Sequence, residues 1–214
     1  MIRIVLADDH TIVREGLKQL LASAGDFQVV GEAGDGHEVL QRVRSDTPDV
    51  LLLDMSMPGK SGIELIKQIR DEKPTLRILV LTMHEEQQYA IRAIRAGAAG
   101  YLTKDSASAQ LVSAIRKVAS GGLFITPEVA EQLALQAMSQ TQQLPHTSLS
   151  DREYEVFLLI ANGVAVTDIA EQLHLSVKTV STHKARLMQK MGIANQTELI
   201  RYAINHGLID STQG

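Results

Sequence analysis

The chain has 214 residues, 44% of them hydrophobic and 3% aromatic, with a formal charge of -4 at pH 7. That length suits one large domain or two small ones, and that composition excludes a chain disordered throughout. The lack of cysteine excludes disulfides, thiol nucleophiles and thiolate metal sites, and the acidic balance leaves nucleic-acid binding to a locally basic surface.

The chain opens with MIRIVLADDH, a short apolar run followed directly by acids, which reads as a strand rather than a signal peptide. No stretch approaches the roughly 18 apolar residues that span a bilayer, so a soluble, cytoplasmic protein is expected, with no membrane partner. From residue 2 to about 119, strand-like and helix-like segments alternate. Strand cores fall at 2–7, 27–31, 50–53, 78–81 and 100–102, and helices at 12–24, 35–45, 61–70, 85–96 and 106–118. The first helix places Val13, Leu17, Leu20 and Leu21 on one stripe, and the last does so with Leu111, Ile115 and Val118. Runs such as VLLL and ILVL predict strands buried on both faces, hence a doubly wound five-stranded parallel sheet.

The pattern changes at Gly121-Gly122. Thr126-Pro127 marks a helix start, with Thr126 as N-cap, and that helix is predicted to about 138. SQTQQLPHTS at 139–148 is polar and interrupted by proline, as a linker is. Ser150 and Glu153 then form a capping box, and further helices are predicted at 166–173, 177–191 and 195–206. The predicted organisation is an α/β domain over 1–120, a linker with a helix over 121–148, and an all-α domain over 149–214.

In a parallel sheet, ligands bind beyond the carboxyl ends of the strands. There the apolar runs stop at Asp8 and Asp9, at Asp54, at Thr82 and just before Lys104. One aspartate at a strand end is usually a turn residue or a cap; five such residues at matching ends are hard to assign to chance. Crowded carboxylates call for a divalent cation, and oxygen-only ligation points to Mg²⁺ or Mn²⁺ rather than zinc. Asp54 is then a nucleophile toward a phosphoryl donor, Lys104 a neutralising cation and Thr82 a hydroxyl donor to the product. Pro58 and Gly62 fit a tight loop after Asp54, and Gly97 a helix stop.

ADDH at 7–10, LLLDMSMPGKSG at 51–62, LT at 81–82 and AAGYLTKD at 98–105 resemble the response-regulator receiver family, whose fold is flavodoxin-like. The resemblance implies Asp54 as phosphoacceptor, Asp8, Asp9, Asp54 and the Ser56 carbonyl as ligands of Mg²⁺, and a switch pairing Thr82 with Tyr101. For Tyr101, simple packing at a sheet edge stays open.

The pair of helices at 166–173 and 177–191 fits a helix-turn-helix, whose second helix enters the major groove. Val177, Val180, Leu187 and Met191 are predicted as its buried stripe. Between 173 and 197 the chain carries Lys178, Lys184, Arg186 and Lys190 and no acid. LSDREYEVFLLIANG, IAEQLHLSVKTVSTHKARLMQKMGI and ELIRYAINHGLI resemble the LuxR/NarL-type DNA-binding domain. That resemblance implies base reading by Ser181, Thr182 and Ala185, backbone contacts by Lys178 and Thr179, and flanking roles for His183, Lys184 and Arg186. Ser181 stands where many relatives carry a lysine, and Thr167 where many carry another, so one hydroxyl donor replaces part of a phosphate contact.

Together the resemblances imply a two-component regulator rather than an enzyme: a sensor histidine kinase phosphorylates Asp54, and a homodimer binds promoter DNA, with RNA polymerase as a further partner. Two alternatives stay open on the residues alone. A haloacid-dehalogenase-like phosphatase also uses a strand-end aspartate but wants a second acid two residues on, where Ser56 stands. An unphosphorylated interaction module could keep the same fold.

Overall fold

The computed structural model describes residues 1–57, 62–82, 87–138 and 144–209. The chain divides into two units, Met1–Leu135 and Gln136–Gly214. The first is built from β1 (Ile2–Ala7), α1 (Thr11–Ala24), β2 (Phe27–Ala33), α2 (Gly36–Ser45), β3 (Val50–Asp54), α3 (Gly62–Glu72), β4 (Arg77–Thr82), α4 (Gln87–Arg95), β5 (Gly100–Thr103) and α5 (Lys104–Ala119). All strand pairs are parallel, in the order β2-β1-β3-β4-β5, so the predicted doubly wound sheet is the one observed. One face carries Ile4, Leu6, Val50, Leu52, Leu79 and Leu81 against Leu17 and Leu21 of α1 and Leu111, Ile115 and Val118 of α5. Val5, Leu51, Leu53, Ile78 and Val80 alternate with these and are equally buried; they point to the face that α2, α3 and α4 cover.

Local chemistry sets the element ends. Asp35 caps α2 by accepting from the His37 and Glu38 amides, so that helix starts one residue after its predicted first. Gly25 ends α1 and Gly62 opens α3, both at positive φ, which glycine adopts at little steric cost; Pro58, of the same loop, lies outside the described residues. Beyond α5 the chain turns back along β5, where the Phe124 amide donates to Ala99 and the Tyr101 amide to Phe124. α6 (Pro127–Met138) follows, its Thr126 cap accepting from the Val129 amide at 3.4 Å.

The second unit holds a 3₁₀ turn (Pro145–Ser148), α7 (Asp151–Ala161), α8 (Val166–Gln172), α9 (Val177–Met191) and α10 (Gln196–Asn205). The capping box at Ser150 and Glu153 is formed, Ser176 caps α9 and Asn195 caps α10. Tyr154, Val156, Phe157, Ile169, Val180, Leu187 and Leu199 make the core. His146, in a segment whose sequence reads as linker, is 2% exposed, and its Nδ1 lies 2.8 Å from the Tyr202 hydroxyl on α10.

Candidate functional site

The strand order reverses beside β1, so a crevice opens at the carboxyl ends of β1 and β3. Register brings the acids to it: Ala7 pairs with Leu53, and Asp8 and Asp54 therefore emerge side by side. Their carboxyl groups are almost wholly buried, at 2% and 1% exposure. Lys104, the first residue of α5, reaches between them, its Nζ 2.7 Å from Asp8 Oδ2 and 2.9 Å from Asp54 Oδ2. The Ser56 amide donates to Asp54 Oδ1 at 3.2 Å. One strand over, Thr82 ends β4 fully buried, one residue past Leu81, the partner of Asp54. Tyr101 pairs with Val80, two residues short of Thr82, and is buried at 8% exposure.

The electrostatics are those of a site short of positive charge. Burial pushes the Asp54 carboxyl up from its ordinary pKa and Asp8 adds to this, while Lys104 and the Ser56 amide hold it down. Burial pulls the Lys104 ammonium down, but its hydrogen bonds to Asp8 and Asp54 outweigh that and leave it raised. One ammonium thus balances two buried carboxylates, with Asp9 beside them. Ligand atoms of Asp8, Asp9, His10 and Asp54 lie within 4.8 Å of one another. Such a cluster of carboxylates is compatible with a hard divalent cation.

His10 is a residue that reading by strand ends overlooks. Its ring Nδ1 lies 2.8 Å from Asp9 Oδ1 and 3.3 Å from Asp8 Oδ1, and its amide donates to Asp8 Oδ1 at 2.8 Å. Three carboxylates therefore crowd the pocket, with the exposed His10 imidazole paired to two of them at the rim. As the last residue of ADDH, His10 carries no chemical signal of its own.

In the second unit, α8 and α9 are joined by residues 173–176, with His174 in the left-handed region. Along α9, Val177, Lys178, Ser181, Thr182, Ala185 and Arg186 are exposed, while Thr179, His183 and Lys184 are half-buried. Val177 corrects the predicted buried stripe: it is 48% exposed, whereas Val180, Leu187 and Met191 are buried. It occupies the first turn of α9, on the same exposed stripe as Ser181 and Ala185 at spacings of four. The Thr182 hydroxyl donates to the Lys178 carbonyl at 2.9 Å, and Lys184 Nζ donates to Gln196 at 2.9 Å. Lys190 adds no free charge to the basic face: its Nζ lies 2.6 Å from Glu153 Oε2. Burial pushes Glu153 up, but Lys190 and Ser150 outweigh it and hold its carboxyl below the usual range. Thr167 donates its hydroxyl to Asp168 at 3.0 Å.

Comparison with known proteins covers both units. The profile of the response regulator receiver domain matches residues 4–116, and that of bacterial regulatory proteins of the luxR family matches residues 147–203. Response regulator GacA of Pseudomonas aeruginosa is 40% identical over 212 residues, 99% of each chain. Response regulator UvrY of Escherichia coli is 41% identical over 212 residues, 99% of this chain and 97% of that protein. Among solved structures, RcsB of Salmonella enterica serovar Typhimurium, bound to promoter rprA in the presence of phosphomimetic BeF3-, is 32% identical. It superposes with a TM-score of 0.63 over 94% of this chain and 98% of that one.

Proposed function

Because this chain belongs to the LuxR-type response regulators, the transcription regulators of two-component systems, we propose that Asp54 is the phosphoacceptor through which a sensor histidine kinase controls DNA binding. Like its relatives the chain is a regulator and not an enzyme, which removes the phosphatase alternative. The observation that carries the assignment is the pairing of Lys104 Nζ with both Asp8 and Asp54 at the switch point of the sheet.

An Asp54 oxygen attacks the phosphorus of a phosphohistidine. The phosphorus–nitrogen bond breaks, the ring nitrogen retains the electron pair, and an acyl phosphate forms. Asp8, Asp9, Asp54 and the Ser56 carbonyl would hold Mg²⁺, which supplies charge neutralisation for the phosphoryl oxygens. Lys104, already placed against Asp54, pairs with the new phosphoryl charge, and Thr82 donates its hydroxyl to a phosphoryl oxygen. Movement of Thr82 and Tyr101 then biases the receiver between two states. In the active state the protein binds promoter DNA as a homodimer in the cytoplasm, with RNA polymerase as a further partner. Ser181, Thr182 and Ala185 face the bases, with Lys178, Thr179, His183, Lys184 and Arg186 on or beside the phosphates.

Incubation with acetyl phosphate and Mg²⁺ tests the pocket by intact mass. One added phosphoryl group on the wild type and none on Asp54→Asn is the expected result. Labelling of Asp54→Asn to the wild-type level would contradict it.

A further inference from the structure

Asp8 is held on four sides. Its amide donates to the Ala33 carbonyl at 3.1 Å, its Oδ1 accepts from the His10 amide at 2.8 Å, and its Oδ2 faces Lys104 at 2.7 Å. Those three contacts come from the backbone or from the pocket itself. The fourth does not: the Asp8 carbonyl accepts from Nη1 of Arg14, on the first turn of α1, at 2.5 Å. That carbonyl belongs to the planar amide joining Asp8 to Asp9. Its direction sets how the two carboxylates are turned relative to each other.

Arg14 is itself fixed from two further sides. Its Nε donates to Glu32 Oε2 on β2 at 3.0 Å, and its Nη2 to Thr11 Oγ1 at 3.3 Å. The other Glu32 oxygen is taken by Lys18 at 2.8 Å, which also pairs with Glu15 at 2.6 Å. Both cations hold the Glu32 carboxyl below its ordinary pKa, Lys18 the more strongly. A planar guanidinium can span β2, Thr11 and the Asp8 carbonyl at once, which an ammonium cannot do. We propose that Arg14 is a positioning residue for the acidic pocket: it fixes the Asp8–Asp9 peptide plane from outside and so sets the pocket's affinity for a divalent cation. The inference rests on the pocket being the cation and phosphoryl site argued above.

Its test exploits a difference in sign. Removing a positive charge near a cation site tightens cation binding by simple electrostatics, whereas losing the brace loosens it. Lys18→Gln removes a charge from the same ionic network without touching Asp8, and so supplies the control. The full chain is titrated calorimetrically with MgCl₂ alone, and its unfolding is recorded without metal. Outer-shell partners of metal ligands usually set affinity by about 10–100-fold. Arg14→Gln is expected to bind Mg²⁺ about tenfold more weakly or worse, and Lys18→Gln as tightly as wild type or slightly tighter. In acetyl phosphate labelling, the Mg²⁺ concentration giving half the maximal rate should rise by the same factor in Arg14→Gln, with the rate at saturating Mg²⁺ within about twofold of wild type. Should Arg14→Gln not fold, Arg14→Lys, which keeps a cation facing Glu32, is expected to lose several-fold. Unchanged affinity in the folded Arg14 variant, or an equal loss in Lys18→Gln, would overturn the proposal. A wild type that binds no Mg²⁺ would overturn the pocket reading with it.

Discussion

Replacing Lys104 by methionine isolates the balance of charge in the pocket. The ammonium lies 2.7 Å from Asp8 and 2.9 Å from Asp54, both almost wholly buried. Without it the two carboxylates face each other with no counter-charge, and the easiest escape is for the pair to take up one proton. An ordinary aspartate titrates near pH 3.9, so that proton costs about 4 kcal/mol at pH 7 and about 1.5 kcal/mol at pH 5. These figures are ceilings, because the burial that opposes the Lys104 charge is relieved in the variant and the wild-type Asp54 carboxyl is itself raised by burial. The sign follows from linkage. In the wild type the Lys104 pKa is raised, so its stabilisation is fully present below its unfolded value and is lost only as pH rises through the higher folded one. In the variant a carboxyl of the folded protein binds its proton more tightly than in the unfolded chain, so stability falls as pH rises from about 4 toward 7. Urea unfolding without divalent metal, read by amide exchange in β1 and β3, should therefore show a loss of up to about 4 kcal/mol at pH 7 that shrinks to about 1.5 kcal/mol or less at pH 5. Millimolar Mg²⁺ should restore much of the pH 7 loss. No loss at pH 7, or an equal loss at both pH values, would refute the charge argument.

Further outcomes are expected in the second unit. Lys190→Met leaves the buried Glu153 carboxylate with only its capping hydrogen bonds, and should cost about 1–2 kcal/mol, between the values for exposed and buried pairs. The Glu153 pKa is depressed in the folded chain, so the stability it contributes is present above its unfolded value and is lost as pH falls through the folded one. Denaturation of the variant followed by α7 amide exchange checks both. Arg186→Ala removes an exposed cation from α9; the slope of log affinity for duplex DNA against log salt should fall by about 1, with little change in sequence preference.

Much of this is legible in the sequence, and the residues show why. Asp8, Asp54, Thr82 and Lys104 could be found because each sits where an apolar run stops, and in a parallel sheet the ends of runs coincide in space. Val177 departs from the predicted buried stripe because a period of 3.6 identifies a helix face but not where that face emerges from its neighbours. Lys190 belongs to the basic run in sequence but not to a free basic face, because a charge count along the chain is blind to a buried partner 37 residues away. His146 lies in a segment too short and polar to show periodicity, and its hydrogen-bond partner is a hydroxyl 56 residues on. His10 and Arg14 flank the pocket without ending a strand, so only the fold of the loop after β1 brings them to Asp8.

The central claim is that phosphorylation at Asp54 controls DNA binding by the second unit. The direct measurement takes the duplex that full-length protein selects from a random-sequence pool and compares affinity for it, at fixed salt, before and after acetyl phosphate and Mg²⁺. The expected result is tighter binding by the phosphorylated wild type and no change in Asp54→Asn. Equal affinity of the phosphorylated and unphosphorylated wild type would contradict it.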